Sequence, residues 1–316
     1  MASIDGILIV NKPARITSRE AVDAACKRLR TKEIGHCGTL DPLATGVLVL
    51  VVGRARRLQD LLSRSRKVYL ATLRLGGRSE TDDAEGPITW VDPEPMAPSE
   101  ETVRRIAAQF VGEIEQRPPS YSAIKLQGKR LYELARAGTK VDAPARKARV
   151  FELEVLEYDF PRVRTRIACA GGTYVRSIAR DLGENLGIGG FLESLCRIES
   201  SGFDLSRALA PEVVDGSHLL PIEEALPLYP RIDIAAAQVR RLANGAAVHC
   251  ELPPLRLDQD EQLFGWVNGR AVAWLKRSGV RQVRSNRLLV TPEELQALAE
   301  EELSTQDAMA ARARPQ

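Results

Sequence analysis

The feature that most limits what this chain can become is a loop and a strand written as one block. Residues 35–48 read GHCGTLDPLATGVL, and the apolar run goes on without a break to residue 52. Val47, Leu48, Val49, Leu50, Val51 and Val52, bounded by Gly46 and Gly53, suit a strand buried on both faces. Asp41 therefore stands on a loop delivered by a core strand. Pro42 fixes its own φ and biases Asp41 towards extended backbone, so the carboxylate is carried on a loop of restricted shape. Such loops beside a rigid scaffold suit catalytic groups. The same residues also fit a plain turn, with Gly35, Gly38 and Gly46 supplying positive φ. Spacing alone does not choose between these.

At 316 residues there is room for two domains, and 44% hydrophobic with 28% charged residues excludes a disordered or fibrous chain. The first apolar run, residues 7–10, stops after four residues, which predicts neither a signal peptide nor a membrane span. Five scattered cysteines without a CxxC pair, and only three histidines, predict reduced thiols in a cytoplasmic protein and no zinc site. Net charge is only +3, but it is unevenly placed. Residues 12–67 hold thirteen Lys/Arg against five Asp/Glu, and residues 125–149 hold eight against two. Residues 162–180 and 270–287 carry five and six bases with no acid. If those segments converge they make a polyanion-binding face; if they do not, they are separate solvated faces.

In chain order, residues 7–10 read as a first strand, and Thr17 with Glu20 forms a capping box that starts a helix with a stripe of Ala21, Val22, Ala25, Cys26 and Leu29. A short basic helix runs from Gly53 to about residue 62, and KVYLATLRL, residues 67–75, is a strand ending at Gly76. The acidic stretch 78–87 is a loop, followed by a helix over 101–110. Residues 117–148 form a basic, Tyr-containing excursion that suits RNA contact or a surface hairpin of helices. Two strands follow, over 150–158 and 163–169. Val175, Ile178, Ala179, Leu182 and Leu186 then share one helical face, with Gly187 as C-cap. Arg176 stands in that helix's first turn against the preference of the macrodipole, which asks for an anionic partner. Beyond residue 228 the texture becomes short apolar runs punctuated by glycines, a small β domain, and the residues from 293 read as a partly disordered tail.

Four blocks, GHCGTLDPLATGVL, KVYLATLRLG, PPSYSAIKLQGKRLYELARAG and GGTYVRSIARDLGENLG, occur in this order over residues 5–205. Together they closely resemble the bacterial tRNA pseudouridine synthase B (TruB) family, which isomerises uridine 55 of the tRNA T-loop. The resemblance implies an α/β (α+β) pseudouridine synthase fold with a mixed central sheet flanked by helices, and a small C-terminal PUA-like β domain. It divides the chain into a catalytic domain over 1–228, with the RNA-contacting insertion at about 117–148, an RNA-binding domain over 229–292, and the tail 293–316.

By the same resemblance Asp41 is the nucleophile, Arg176 the guanidinium that keeps it ionised, and Tyr69 the tyrosine that stacks on the target base and takes part in proton removal. Tyr174 matches a second pocket tyrosine, His36 the histidine that fills the space left by the flipped base, and Leu195 an apolar pocket wall. Lys12 and Lys125 match positions near the RNA or pocket, and Asp83 the acid of the acidic loop. The implied reaction needs no cofactor and no metal. Its partner is tRNA, through the T-arm, with no membrane, no obligatory protein partner and a monomeric state. Phe191 and Cys196 depart from the family's histidine and first arginine, leaving Arg197 alone of an arginine pair, and Glu80 stands where the family has Asp. Two other classes fit parts of the chain. A non-catalytic RNA-binding or tRNA-folding factor would use only the basic segments, and a glycoside hydrolase would need a second acid beside Asp41, which its own block lacks.

Overall fold

The computed structural model describes residues 4–121, 125–126, 129–130, 144–253 and 262–312. The chain separates into two compact units. One comprises Ile9–Leu50 and Gln59–Ser217; the other comprises Met1–Leu8, Val51–Leu58 and His218–Gln316.

Strand β1 (Gly6–Lys12) leads to helix α1 (Ser18–Leu29), then β2 (Ile34–His36), β3 (Thr45–Val52), α2 (Gln59–Arg64) and β4 (Lys67–Leu75). The hairpin β5 (Gly77–Ser79) and β6 (Ile88–Trp90) encloses the acidic loop, and α3 (Glu100–Ala108) precedes β7 (Gly112–Gln116). Short strands β8 (Lys125–Leu126) and β9 (Lys129–Arg130) pair with each other; residues 122–124, 127–128 and 131–143 of the excursion lie outside the described residues. The long strands β10 (Arg146–Asp159) and β11 (Arg162–Cys169) come next, followed by α4 (Val175–Asn185), β12 (Gly190–Ser200) and β13 (Phe203–Asp204).

The principal sheet has the order β1-β3-β12-β4-β11-β10-β7. It is mixed: β12 runs parallel to β3 but antiparallel to β4. All six residues 47–52 are fully buried, as a two-sided apolar run requires. Each such Val or Leu contributes about 1.5–3 kcal/mol by leaving water. Gly46 has φ 101°, and a Cβ there would lie 2.2 Å from the carbonyl oxygen of Arg197, so only glycine lets the start of β3 touch β12. Gly183 plays a similar part for α4: its Cα faces Gly190, where a Cβ would come within 2.1 Å of the backbone nitrogen. That close approach seats α4 on β12.

The capping box predicted at Thr17 is present: the Thr17 hydroxyl accepts from the Glu20 amide at 3.1 Å, and the Glu20 carboxylate accepts from the Thr17 amide at 2.7 Å. Of the expected stripe, Ala21, Val22, Ala25 and Leu29 are buried, while Cys26 is only half-buried.

In the other unit, β14 (Arg231–Asp233), β15 (Val248–His249), β16 (Leu263–Val267), β17 (Arg270–Gly279) and β18 (Gln282–Leu288) build a five-stranded sheet of order β14-β16-β17-β18-β15, as its glycine-punctuated sequence suggests, with the short helix α5 (Val239–Ala243) between β14 and β15. Where the sequence reading has a tail from residue 293, the structure has helix α6 (Pro292–Arg312), with Leu295, Leu298 and Ala299 in the core of this unit. A second capping box starts it: the Glu294 amide donates to the Thr291 hydroxyl and the Thr291 amide to the Glu294 carboxylate. Thr291, Pro292 and Glu294 were legible as a helix start. The polar, Ala/Arg-rich residues after them hid it.

Candidate active site

The loop bearing Asp41 is tied down from several sides. The Ser18 hydroxyl, at the start of α1, both accepts from the Leu40 amide at 2.7 Å and faces the Leu40 carbonyl at 2.9 Å. Lys12 at the end of β1 points its ammonium at the carbonyls of Pro13, Ile16 and Pro42. Arg197 on β12 donates to the Val47 carbonyl at 2.6 Å and the Gly38 carbonyl at 3.0 Å. Side chains from α1, β1 and β12 thus hold the backbone of Gly38, Leu40, Pro42 and Val47, on both sides of Asp41.

From that loop Asp41 faces a cavity of about 850 Å³ lined by His36, Tyr69, Asp83, Tyr174, Arg176 and Leu195 among others. The Arg176 Nε lies 3.0 Å from the Asp41 carboxylate, and its Nη1 3.3 Å from that of Asp83. The Nε–H is not aimed at the Asp41 oxygen, so the contact is Coulombic rather than a hydrogen bond. Two carbonyls hold the rest of the guanidinium: Thr81 accepts from Nη1 and Tyr121 from Nη2, both at 3.0 Å. The anionic partner predicted for a base in the first turn of α4 is thus a pair of carboxylates. Arg176 is buried, whereas 36% of the Asp41 side chain remains exposed towards the cavity.

Burial pushes the Asp41 carboxyl above its ordinary range, and the Arg176 guanidinium opposes that rise. The remaining acids and bases nearby pull in both directions: Asp83 raises it, Lys12 and Arg197 lower it. Burial likewise pushes the Tyr69 phenol up, against the nearby positive charge of Arg197. His36 is pushed below the usual histidine range by burial and by Arg197, and so is held neutral near pH 7. Its Nδ1 is buried without a partner.

Most residues named from the sequence do converge here. Asp41, His36, Tyr69, Asp83, Tyr174, Arg176 and Leu195 share one cavity wall. Tyr174 precedes α4, its backbone bonded twice to the Gln116 side chain at 2.9 Å, and the Arg146 guanidinium sits 4.7 Å from its ring centre. Lys12, matched to a position near the RNA or pocket, lies on the pocket side: it is fully buried beneath the Asp41 loop, its ammonium bonded to three carbonyls. Burial also lowers its pKa. Lys125 lies on β8, and its side chain is outside the described residues. Phe191 is absent from the cavity lining; it is buried edge-on against Trp90, 5.9 Å between ring centres, and Cys196 is half-buried on β12.

Several members of the site carry no local sign in the sequence. Lys67, two residues before Tyr69, is buried and donates to the carbonyls of Leu62, Ser63 and Ser65; burial and Arg197 pull its pKa down to about 8. Glu85 also lines the cavity, its carboxyl pushed up by burial and by Asp83. Among the described residues, no group of His, Cys, Asp and Glu is arranged to hold a metal ion, and no helix is long and apolar enough to cross a membrane.

A family model described as TruB family pseudouridylate synthase, N-terminal domain, matches residues 27–175. A Clostridium kluyveri protein named tRNA pseudouridine synthase B is 38% identical over 252 residues, spanning 78% of this chain and 86% of its own length. One of the same name from Corynebacterium aurimucosum is 42% identical over 247 residues, spanning 76% and 83%. Among solved structures, a chain of a Cbf5-Nop10-Gar1 complex superposes with TM-score 0.70 at 23% identity, covering 92% of this chain and 86% of that one. A chain of an archaeal box H/ACA sRNP Nop10-Cbf5 complex gives 0.67 at 22%, covering 92% and 88%. At such identities the structures speak for the fold, and the sequence relatives, matched over most of their length, for the family: the chain belongs to the TruB family of pseudouridylate synthases.

Proposed function

We propose that this pseudouridine synthase isomerises uridine 55 in the T-loop of tRNA, with Asp41 as nucleophile. The observation that carries the assignment of Asp41 is its ion pair with Arg176 at the wall of the cavity. The reaction breaks the C1′–N1 bond, turns the base and joins C5 to C1′, the C5 proton leaving and N1 gaining one. Atoms and electrons balance within the nucleotide. A carboxylate that forms a covalent intermediate divides this into two easier steps, and it must be ionised to attack. Arg176 supplies the charge that favours the ionised form.

Tyr69 lies buried at the cavity wall with its phenol pushed up by burial, an apolar setting that supports stacking on the uracil ring and leaves its hydroxyl within the pocket where the C5 proton departs. Leu195 closes the apolar side of the pocket. The uridine must leave its stack to reach Asp41, at a cost of a few kcal/mol, and a neutral, half-buried His36 at the rim suits the space it vacates. Arg146, Lys147 and Arg149 next to the cavity's Gly171–Thr173 wall suit the phosphates of the flanking nucleotides. The β-rich C-terminal unit serves as a PUA-like RNA-binding domain, and the protein works in the cytoplasm as a monomer without an obligatory protein partner.

Asp41→Asn is the test. Incubated with unmodified tRNA transcript, the wild type forms pseudouridine at position 55, whereas the variant binds the RNA and loses at least about 10⁴-fold in rate, as for other removed nucleophiles. Turnover near wild type in the variant overturns the role of Asp41, and pseudouridine at another position overturns the substrate assignment.

A further inference from the structure

Beside the Arg176 cluster stands a second one built on the same plan. Arg180, one turn further along α4, places its Nη1 2.7 Å from the Asp82 carboxylate, as Arg176 reaches Asp83. Two arginines four residues apart on one helix thus hold two consecutive acids of one loop. Both also reach the segment after β7: Arg176 donates to the Tyr121 carbonyl and Arg180 to the Arg117 carbonyl, each at 3.0 Å. The Ser177 hydroxyl adds a 2.8 Å bond to the same Arg117 carbonyl. Arg180 has one competitor on its own helix, Asp181 at 2.8 Å.

The acidic loop needs this hold. Asp82 adopts φ 61°, a left-handed conformation disfavoured for a residue with a Cβ, and its carbonyl accepts from the Leu192 amide of β12. Thr81 and Asp83, on either side of it, are the residues that grip Arg176. Moving Asp82 therefore moves two of the three oxygens, those of Thr81 and Asp83 but not Tyr121, that aim the guanidinium at Asp41.

We propose that Asp82 and Arg180 are positioning residues for pseudouridine formation: their ion pair sets the acidic loop and the 117–121 segment so that Arg176 stands at the nucleophile. This rests on the reading that Asp41 and Arg176 perform the chemistry. Neither Asp82 nor Arg180 lines the cavity, so neither touches the uridine.

The experiment compares wild type, Asp82→Ala, Arg180→Met, the double variant, Arg180→Lys and Asp41→Asn in single-turnover assays across pH, with tRNA affinity measured separately. Expected are rate losses between about 10- and 100-fold in Asp82→Ala and Arg180→Met, the scale of a small misplacement in an active site. The double variant loses no more than the worse single one, because the pair acts as a unit. Affinity for tRNA stays within about twofold, and the acid limb of the rate profile moves to higher pH as Arg176 loses its hold on Asp41. Arg180→Lys, which keeps the charge, regains part of the rate and guards against simple misfolding. Wild-type rates in Asp82→Ala, or a loss confined to affinity, overturn the proposal while an inactive Asp41→Asn leaves the nucleophile standing. An active Asp41→Asn overturns the nucleophile instead.

Discussion

The cavity is held by cations on two sides, and the two sides use them differently. On the loop side, Lys12 and Arg197 give hydrogen bonds to backbone carbonyls, those of Pro13, Ile16, Pro42, Gly38 and Val47. On the α4 side, Arg176 and Arg180 also face carboxylates, those of Asp41, Asp83 and Asp82. A buried cation bonded to carbonyls sets the shape of the chain and leaves the protonation of its partners untouched. One placed against carboxylates sets their charge as well as their position. The loop side accordingly fixes chiefly where Asp41 is, while Arg176 on the α4 side is the strongest of the cations that favour its ionised form.

That division is breakable by substitution. Arg176→Met should lower the single-turnover rate by about 10²–10³, the range seen when one preorganised donor is removed from an active site, and should move the acid limb upward. A variant with unchanged rate would dissolve the distinction between the sides.

On the loop side, Arg197→Met leaves the carbonyls of Gly38 and Val47 without their donor. Each unmet buried acceptor costs about 1–3 kcal/mol, so a fall in stability of about 2–4 kcal/mol should appear in denaturant unfolding. The acid limb should shift far less than in Arg176→Met, since Arg197 ranks last among the groups that act on Asp41. An intact stability, or a pH shift as large as that of Arg176→Met, would show that Arg197 also works through charge.

The smallest effect is in the wild type. Because burial raises the Asp41 pKa, its attacking form is lost as pH falls through a value above the ordinary aspartate pKa of about 3.9, not at it. A single-turnover profile that falls only at the ordinary aspartate pKa of about 3.9, or below it, would show that the cations around Asp41 offset its burial completely.

Much of this was legible in the chain. The two-sided run 47–52 announced a central strand, Thr17 and Glu20 a helix start, and Arg176 an anionic partner, because each depends on residues near one another in sequence. The four blocks then led from Asp41 to its companions through resemblance rather than chemistry. Glu85, Lys67, Gln116, Ser18 and the Asp82–Arg180 pair carried no comparable sign. A lysine before a strand or an acid in a polar loop reads as a solvated surface residue until packing brings carbonyls or an arginine to it.

Lys12 shows the same limit from the other direction. Resemblance left it near either the RNA or the pocket, and the ammonium turns inward, because three carbonyls at the foot of the Asp41 loop converge where β1 ends. Local pattern determined the elements, the loop that bears Asp41 and the family to which the chain belongs, since propensity, capping and alternation act over a few residues. Only the tertiary structure decided which cations hold backbone and which hold carboxylates. That choice depends on acceptors brought within 3 Å from strands and loops up to 159 residues apart, a distance along the chain over which no local pattern reaches.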